Sequence, residues 1–201
     1  MKRLKSTYLI IVCLVAGSVL TSCLKDEDTG LSPAEQQSAY LQVKGDYDGK
    51  LVYAKQNEDK TAYINDTIDI SWSLDTDSTL LIKKFPSALL AANISDDNVR
   101  TAMASSDPVD IKCYTEYYSL SPVGFLVNPA AVTYNLTYGG STHKVQVAFY
   151  VNNSYVYGVY TPASRLLQIQ LIEAGIYVDG LYQSSLLTKA IPFKLFCTKS
   201  N

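Results

Sequence analysis

Histidine is almost absent from this chain, since His143 is the only one among 201 residues. A zinc site built on paired histidines is therefore excluded, and a mixed site would have to recruit Cys113 or Cys197 from strand-like apolar runs. The acidic stretches 46–49 and 75–77 lack the twelve-residue spacing and the closing glutamate of a calcium loop, so they are interpreted as turns. We predict no metal site and no cofactor.

The sequence also lacks the common signatures of enzymes. It contains no Gly-x-Ser-x-Gly elbow, and His143 has no partner that the sequence reveals. Two carboxylates at a suitable separation would be enough for glycoside hydrolysis, and Glu116 and Glu173 are the candidates. Both also fit solvated, outward positions on amphipathic strands. We predict that the protein is not an enzyme.

The apolar run near the N-terminus is too short to cross a membrane. It extends over 13 residues from Tyr8 to Leu20, after Lys2, Arg3 and Lys5, whereas a spanning helix needs about 20. This pattern predicts a signal peptide over residues 1–22. Its removal would take away three positive charges, so the remaining chain is acidic, which argues against a nucleic-acid partner.

The residues around Cys23 indicate how the protein is attached to a membrane. Leu20-Thr21-Ser22-Cys23 resembles the bacterial lipobox, which implies that Cys23 carries a lipid and becomes the new N-terminus. Lys25-Asp26-Glu27-Asp28 resembles the lipoprotein export signal of Bacteroidetes-type bacteria. The resemblance implies an outer-membrane lipoprotein that faces the cell exterior. If residues 23–31 are only a flexible tether, the periplasmic face is the alternative.

Residues 32–201 are predicted to form a single domain. Ser32-Pro33-Ala34-Glu35 has the pattern of a capping box and predicts a short helix to about Tyr40. Apolar residues then alternate with polar ones, with a turn predicted at Asp46-Tyr47-Asp48-Gly49 and a hairpin at Tyr138-Gly139-Gly140-Ser141. A helical segment is expected at about 86–105. The fold is predicted to be mainly β, an antiparallel sandwich or a lipocalin-like barrel.

Two cysteines remain in the predicted domain, Cys113 and Cys197. An oxidising compartment permits a disulfide between them. Each of them lies in a strand-like apolar run, where a free cysteine behaves as a small hydrophobic residue. The sequence therefore leaves a bridge and two free thiols as alternatives.

Tyrosine is unusually frequent, with 15 in the chain that remains after residue 22. Its flat ring and hydroxyl suit surfaces that stack on sugars or peptides, although tyrosine also simply favours strands. Pairs that share a strand face are the candidates for a ligand platform: Tyr114 and Tyr118, Tyr134 and Tyr138, and Tyr155 and Tyr157.

The lipobox, the export signal and a tyrosine-rich β domain together resemble small lipoproteins of gut Bacteroidetes with domains of unknown function. Residues 41–55 and 80–90 are similar to one such family. The resemblance implies a lipid-anchored binding or accessory protein whose partner is a glycan, a peptide or an envelope protein. A fimbrial-like structural subunit and a lipocalin-like carrier of a small ligand are the alternatives.

Overall fold

The computed structural model describes residues 30–59 and 61–199. The predicted signal peptide, the lipobox, Cys23 and the cluster Lys25–Asp28 lie outside these residues. The first element is helix α1 (Pro33–Val43). Ser32 accepts a hydrogen bond from the Glu35 amide, and the Glu35 carboxylate accepts one from the Ser32 amide at 2.8 Å. The predicted capping box is thus confirmed, and the helix continues three residues beyond Tyr40.

The rest of the described chain is mainly β-structure. Two short helices, α2 (Ser87–Ala91) and α3 (Asp97–Ala104), confirm the expected helical segment. The strands are β1 (Gly45–Gln56), β2 (Tyr63–Thr76), β3 (Thr79–Phe85), β4 (Val109–Leu120), β5 (Val123–Pro129), β6 (Val132–Tyr138), β7 (Ser141–Phe149), β8 (Tyr157–Thr161), β9 (Leu166–Val178), β10 (Leu181–Tyr182) and β11 (Ile191–Thr198).

Eight of these strands close into an antiparallel barrel. Its order is β1-β2-β3-β4-β5-β8-β9-β11, and β11 pairs with β1 to complete the ring. The first part of β9, residues 166–170, pairs with β8. Its last part, residues 173–178, pairs with β7 instead, so the β6–β7 hairpin extends from the side of the barrel. Of the two predicted architectures, the barrel is the one that forms.

Aromatic rings fill the interior of the barrel. Tyr47 stacks on Trp72 with ring centroids 5.6 Å apart, and Tyr117 packs against Phe125 at 5.1 Å. An eight-stranded barrel has an interior that is just wide enough for side chains or one small ligand. These buried rings therefore occupy space that a carrier of a bulky ligand would need to keep open.

The prediction of a turn at Asp46–Gly49 is wrong, because these residues lie within the continuous strand β1. Gly49 faces the interior, where an added Cβ would collide with the Trp72 ring and the Phe196 carbonyl. The glycine thus provides room for the tryptophan rather than a change of chain direction. At Gly139 and Gly140, by contrast, φ is +59° and +81°, and the predicted hairpin is confirmed.

Different helices cover the two ends of the barrel. At one end α1 packs against β4 and β5, and Tyr40 donates a hydrogen bond to the Asp75 carbonyl at 2.7 Å. At the other end α2 and α3 pack together, and α3 packs against β6. Of the helices in the described residues, none is both long and apolar enough to span a membrane.

Candidate functional site

Three tyrosines lie on the outer surface of β4, β5 and β8, which we name the tyrosine wall. Tyr114 and Tyr118 project outward from β4, while Tyr157 projects from β8. The register places Glu116, Leu126, Tyr157 and Gln170 in one row across four neighbouring strands. These strands thus hold aromatic rings and polar groups together on one face of the barrel wall.

The ring of Tyr118 lies directly on the backbone of β5. An added Cβ at Gly124 would meet the Tyr118 ring at 2.5 Å, so the glycine makes this close approach possible. Burial and the neighbouring Tyr157 both raise the pKa of Tyr118. The side chain nevertheless keeps 51% of its surface exposed, so a ligand can reach one face of a ring that the wall holds in place.

Amide groups surround the second ring of the wall. Gln168 donates a hydrogen bond from Nε2 to the Tyr157 hydroxyl at 3.0 Å, and Gln170 donates one to the Tyr155 carbonyl at 2.8 Å. Tyr155 itself precedes β8 and is highly exposed. Rings that stack on apolar faces, set among amides that donate and accept hydrogen bonds, suit a ligand rich in hydroxyl groups.

The structure does not bring all six predicted platform tyrosines together. Tyr134 is buried and donates its hydroxyl hydrogen to Ser87 Oγ at 3.0 Å, so its assignment to an exposed platform is wrong. Tyr138 is half-buried and stacks on the His143 ring with centroids 4.5 Å apart. Tyr134 and Tyr138 do not form an exposed pair, because the face of β6 that they share turns toward the core, together with Val132 and Leu136.

His143 has a partner that is distant in sequence. Its Nδ1 lies 2.8 Å from Asp179 Oδ2, and Asp179 Oδ1 accepts a hydrogen bond from the Lys144 amide at 2.9 Å. These contacts hold the pKa of Asp179 below its usual range. The pair joins the β6–β7 turn to the end of β9, and sequence reasoning missed it because 36 residues separate the two side chains.

The two candidate acids occupy opposite environments. Glu116 is exposed on the tyrosine wall, as expected, whereas Glu173 has none of its surface exposed. The interpretation of Glu173 as an outward residue is therefore wrong. Glu173 shares the inward face of β9 with Leu167, Ile169 and Leu171, and this alternation in the sequence could have revealed it.

Glu173 lies at the end of the barrel that α2 and α3 cover. It is opposite Phe149 on β7 and Ile191 on β11. Neither of its carboxyl oxygens has a hydrogen-bond partner among the described residues. Burial raises the pKa of this carboxyl to about 8, because water no longer stabilises the charged form.

The cysteines of the domain are both free thiols. Cys113 is on β4 and Cys197 is on β11, and four steps around the eight-stranded ring separate these strands. A disulfide requires Cα atoms within about 7 Å, whereas the two cysteines lie on opposite walls of the barrel. The bridge that the sequence left open is therefore not formed.

A separate groove of about 1020 Å³ lies on the outer surface near β1, β2 and β11. Most of its charged side chains have partners: Lys50 pairs with Asp69 at 2.6 Å, Lys83 pairs with Asp46 at 2.8 Å, and Asp48 accepts a hydrogen bond from the Ser71 hydroxyl at 2.6 Å. Charges that are already paired give a ligand little to recognise. We therefore regard the tyrosine wall as the better candidate. Within the described part of the chain, no cluster of three or more potential ligands could hold a metal ion.

Comparison with known proteins identifies the domain but not its activity. Residues 42–178, well over half of the chain, match the model of a family described as a domain of unknown function, DUF4840. The chain belongs to the DUF4840 family. The matched segment contains the tyrosine wall and Glu173 of this DUF4840 domain. No curated protein and no solved structure matches the chain.

Proposed function

We propose that this protein is a lipid-anchored binding protein of the outer membrane that recognises a glycan through the tyrosine wall. The single observation that carries the proposal is the Tyr118 ring, which packs closely on Gly124 with half of its surface exposed beside Tyr157. A ring that is already fixed loses little conformational freedom when a ligand stacks on it. Carbohydrate rings present flat apolar faces together with hydroxyl groups, and the wall offers complementary groups of both kinds.

Two structural features weigh against the alternative functions. A fimbrial-like subunit would exchange a terminal strand with its neighbour, but β11 already pairs on both edges, with β1 and β9. Its removal would break the ring and leave two exposed edges. A lipocalin-like carrier is compatible with the barrel fold, but its ligand would have to displace aromatic side chains such as Trp72 and Tyr117, which are buried in the interior.

The glycan proposal can be tested by binding of the purified full-length protein in detergent to an oligosaccharide array. We expect that the double substitution Tyr118→Ala and Tyr157→Ala weakens binding at least tenfold, since truncation of buried aromatic anchors commonly costs this much. Tyr182→Ala is the matched control, because Tyr182 is 54% exposed but lies on β10, away from the wall. Binding that survives the double substitution, or selective binding to peptides instead, would overturn the proposal.

The lipid anchor is tested separately in cells. We expect that Cys23→Ala abolishes labelling with an alkyne fatty acid and releases the protein from the membrane fraction, whereas Cys197→Ala changes neither. Replacement of Lys25–Asp28 by alanines should reduce cleavage by protease added outside intact cells, if this cluster directs export. Unchanged fatty-acid labelling of the Cys23 variant would exclude lipidation at this residue.

A further inference from the structure

The carboxyl group of Glu173 is the most unusual buried group among the described residues. It is fully buried, both of its oxygens are without hydrogen-bond partners, and desolvation alone accounts for its raised pKa. None of the ion pairs in residues 30–59 and 61–199 involves this carboxyl. Burial of an ionised carboxylate is unfavourable unless a cation pairs with it. This carboxyl is therefore a strong acceptor for a positively charged donor.

The hydroxyl of Tyr134 provides a further acceptor in the same region. The Tyr134 hydroxyl bonds to Ser87, the first residue of α2, which covers the end of the barrel where Glu173 lies, and the negative charge of Glu173 adds to the effect of burial in raising the pKa of Tyr134. The Tyr134 hydrogen is donated to Ser87 Oγ, and Ser87 donates its own to the Asp107 carbonyl at 2.6 Å. The lone pairs of the Tyr134 oxygen thus remain free to accept a hydrogen bond.

A small surface pocket lies beside Ile191 at the start of β11. Its volume is about 120 Å³, and its lining includes Tyr63, Asn93, Lys189 and Ile191. Ile191 is the direct cross-strand neighbour of Glu173, so only one residue separates the pocket from the carboxyl. At the pocket, the Lys189 ammonium lies 3.8 Å from the centroid of the Tyr63 ring.

We propose that Glu173 and Tyr134 form an internal receptor for one primary ammonium group, which enters past Ile191. This site is distinct from the tyrosine wall and does not depend on glycan binding. An ammonium group has three N–H donors, and the two carboxyl oxygens together with the Tyr134 oxygen offer three acceptors. The pocket volume of about 120 Å³ is about four times the share of one water molecule in the liquid, so the amine must be small.

Other occupants match this chemistry less well. A calcium ion takes six to eight oxygen ligands, as a rule, and the region offers about three. A neutral hydroxyl donates a single hydrogen bond and brings no charge to balance an ionised carboxyl. A primary ammonium group provides both the charge and the number of donors.

The ammonium group has two sources. One is a small amine from solution, and the other is Lys189, which precedes Ile191 by two residues and lines the same pocket. In the second case Lys189 would leave the Tyr63 ring and turn inward to reach Glu173. The chemistry at the carboxyl is the same, and a substitution at Lys189 distinguishes the two sources.

The test is an NMR titration of the full-length protein in detergent, with glutamate labelled with 13C at its side-chain carboxyl. The chain has five glutamates, so the Glu173 signal can be assigned by replacing the other four in turn, without a Glu173 variant. The titration midpoint is measured with ethylammonium chloride and with tetramethylammonium chloride, which has the same charge but no N–H donor. Both series are repeated in Lys189→Gln.

If the amine comes from solution, ethylammonium lowers the Glu173 midpoint, by about one unit at a tenfold excess over its dissociation constant. If Lys189 is the source, ethylammonium has no effect on the wild type, while Lys189→Gln raises the midpoint and makes it sensitive to ethylammonium. In the amine-sensitive protein, Tyr134→Phe should weaken the amine effect about tenfold, the value of one hydrogen bond. A midpoint that responds neither to ethylammonium nor to Lys189→Gln, or equally to both salts, overturns the proposal.

Discussion

The pH dependence of folding provides a direct test of the environment of Glu173. Its pKa is raised from the ordinary value of 4.5 to about 8 in the folded protein. Between these two values the unfolded chain has lost the proton while the folded protein still holds it. The contribution of Glu173 to stability is therefore fully present below about pH 4.5 and is lost as the pH rises, until the folded carboxyl also ionises near pH 8. Above that pH the loss is complete and constant.

The expected magnitude follows from the same two values of the pKa. Each unit of pH in this window costs about 1.4 kcal/mol, so the loss is about 3.4 kcal/mol at pH 7 and close to 5 kcal/mol above pH 8. A domain of this size is typically stable by 5–15 kcal/mol, roughly, so the effect is large. Glu173→Gln replaces the carboxyl by a neutral group of nearly the same shape. We expect this variant to be more stable than the wild type by about 3 kcal/mol at pH 7.

Urea denaturation followed by the fluorescence of Trp72, the single and fully buried tryptophan, measures this difference. Wild type and Glu173→Gln are compared from pH 5 to pH 9 in a buffer free of amines. Both proteins are also measured with the substitution Lys189→Gln, which removes the ammonium group of the Lys189 side chain. Glu116→Gln is the control, since Glu116 is exposed on the outer wall. If the stabilities of wild type and Glu173→Gln run parallel across this range in both backgrounds, the carboxyl is not desolvated and the reasoning is refuted.

Two further predictions concern the packing of the barrel and of its cap. Gly49→Ala should destabilise the protein by about 1–3 kcal/mol and shift Trp72 emission, because the new methyl group collides with the Trp72 ring. The control is Lys50→Ala, on the exposed face of the same strand. It should lower the free energy of unfolding by less than about 1 kcal/mol in the same urea titration. Ser32→Ala should destabilise the protein by about 1 kcal/mol, measured the same way, because it removes the hydroxyl of the capping box.

Local rules predicted the parts of the fold that depend on neighbouring residues. The capping box at Ser32 and Glu35 and the double glycine at 139–140 both formed as expected, since their hydrogen bonds and dihedral angles are decided within a few residues. The turn at Asp46–Gly49 failed, although its composition is typical of turns. Gly49 is needed there because of Trp72, which a local pattern cannot reveal.

Closure of the barrel is a property that only distant pairings decide. The 13-residue strand β9 pairs with β8 on one edge and with β11 on the other, and β11 must also reach β1 near the start of the domain. The alternation of apolar residues is the same in a sandwich and in a barrel. For this reason the sequence left both architectures open. The tyrosine wall depends on these pairings too, because β8 joins β5 only through the order of the closed ring.

The two proposed sites should differ in how binding depends on pH. Stacking on the rings of the tyrosine wall does not involve the Glu173 carboxyl, so glycan binding to the wall should hardly vary between pH 5 and pH 8. An ammonium group binds the ionised form of Glu173, whose population rises about tenfold per unit of pH until the pH reaches the pKa of about 8. Affinity for ethylammonium should therefore rise about tenfold from pH 6 to pH 7, in the wild type or in Lys189→Gln. A glycan affinity that rose in parallel would indicate that both ligands use the carboxyl, and the assignment of glycan binding to the outer wall would then be wrong.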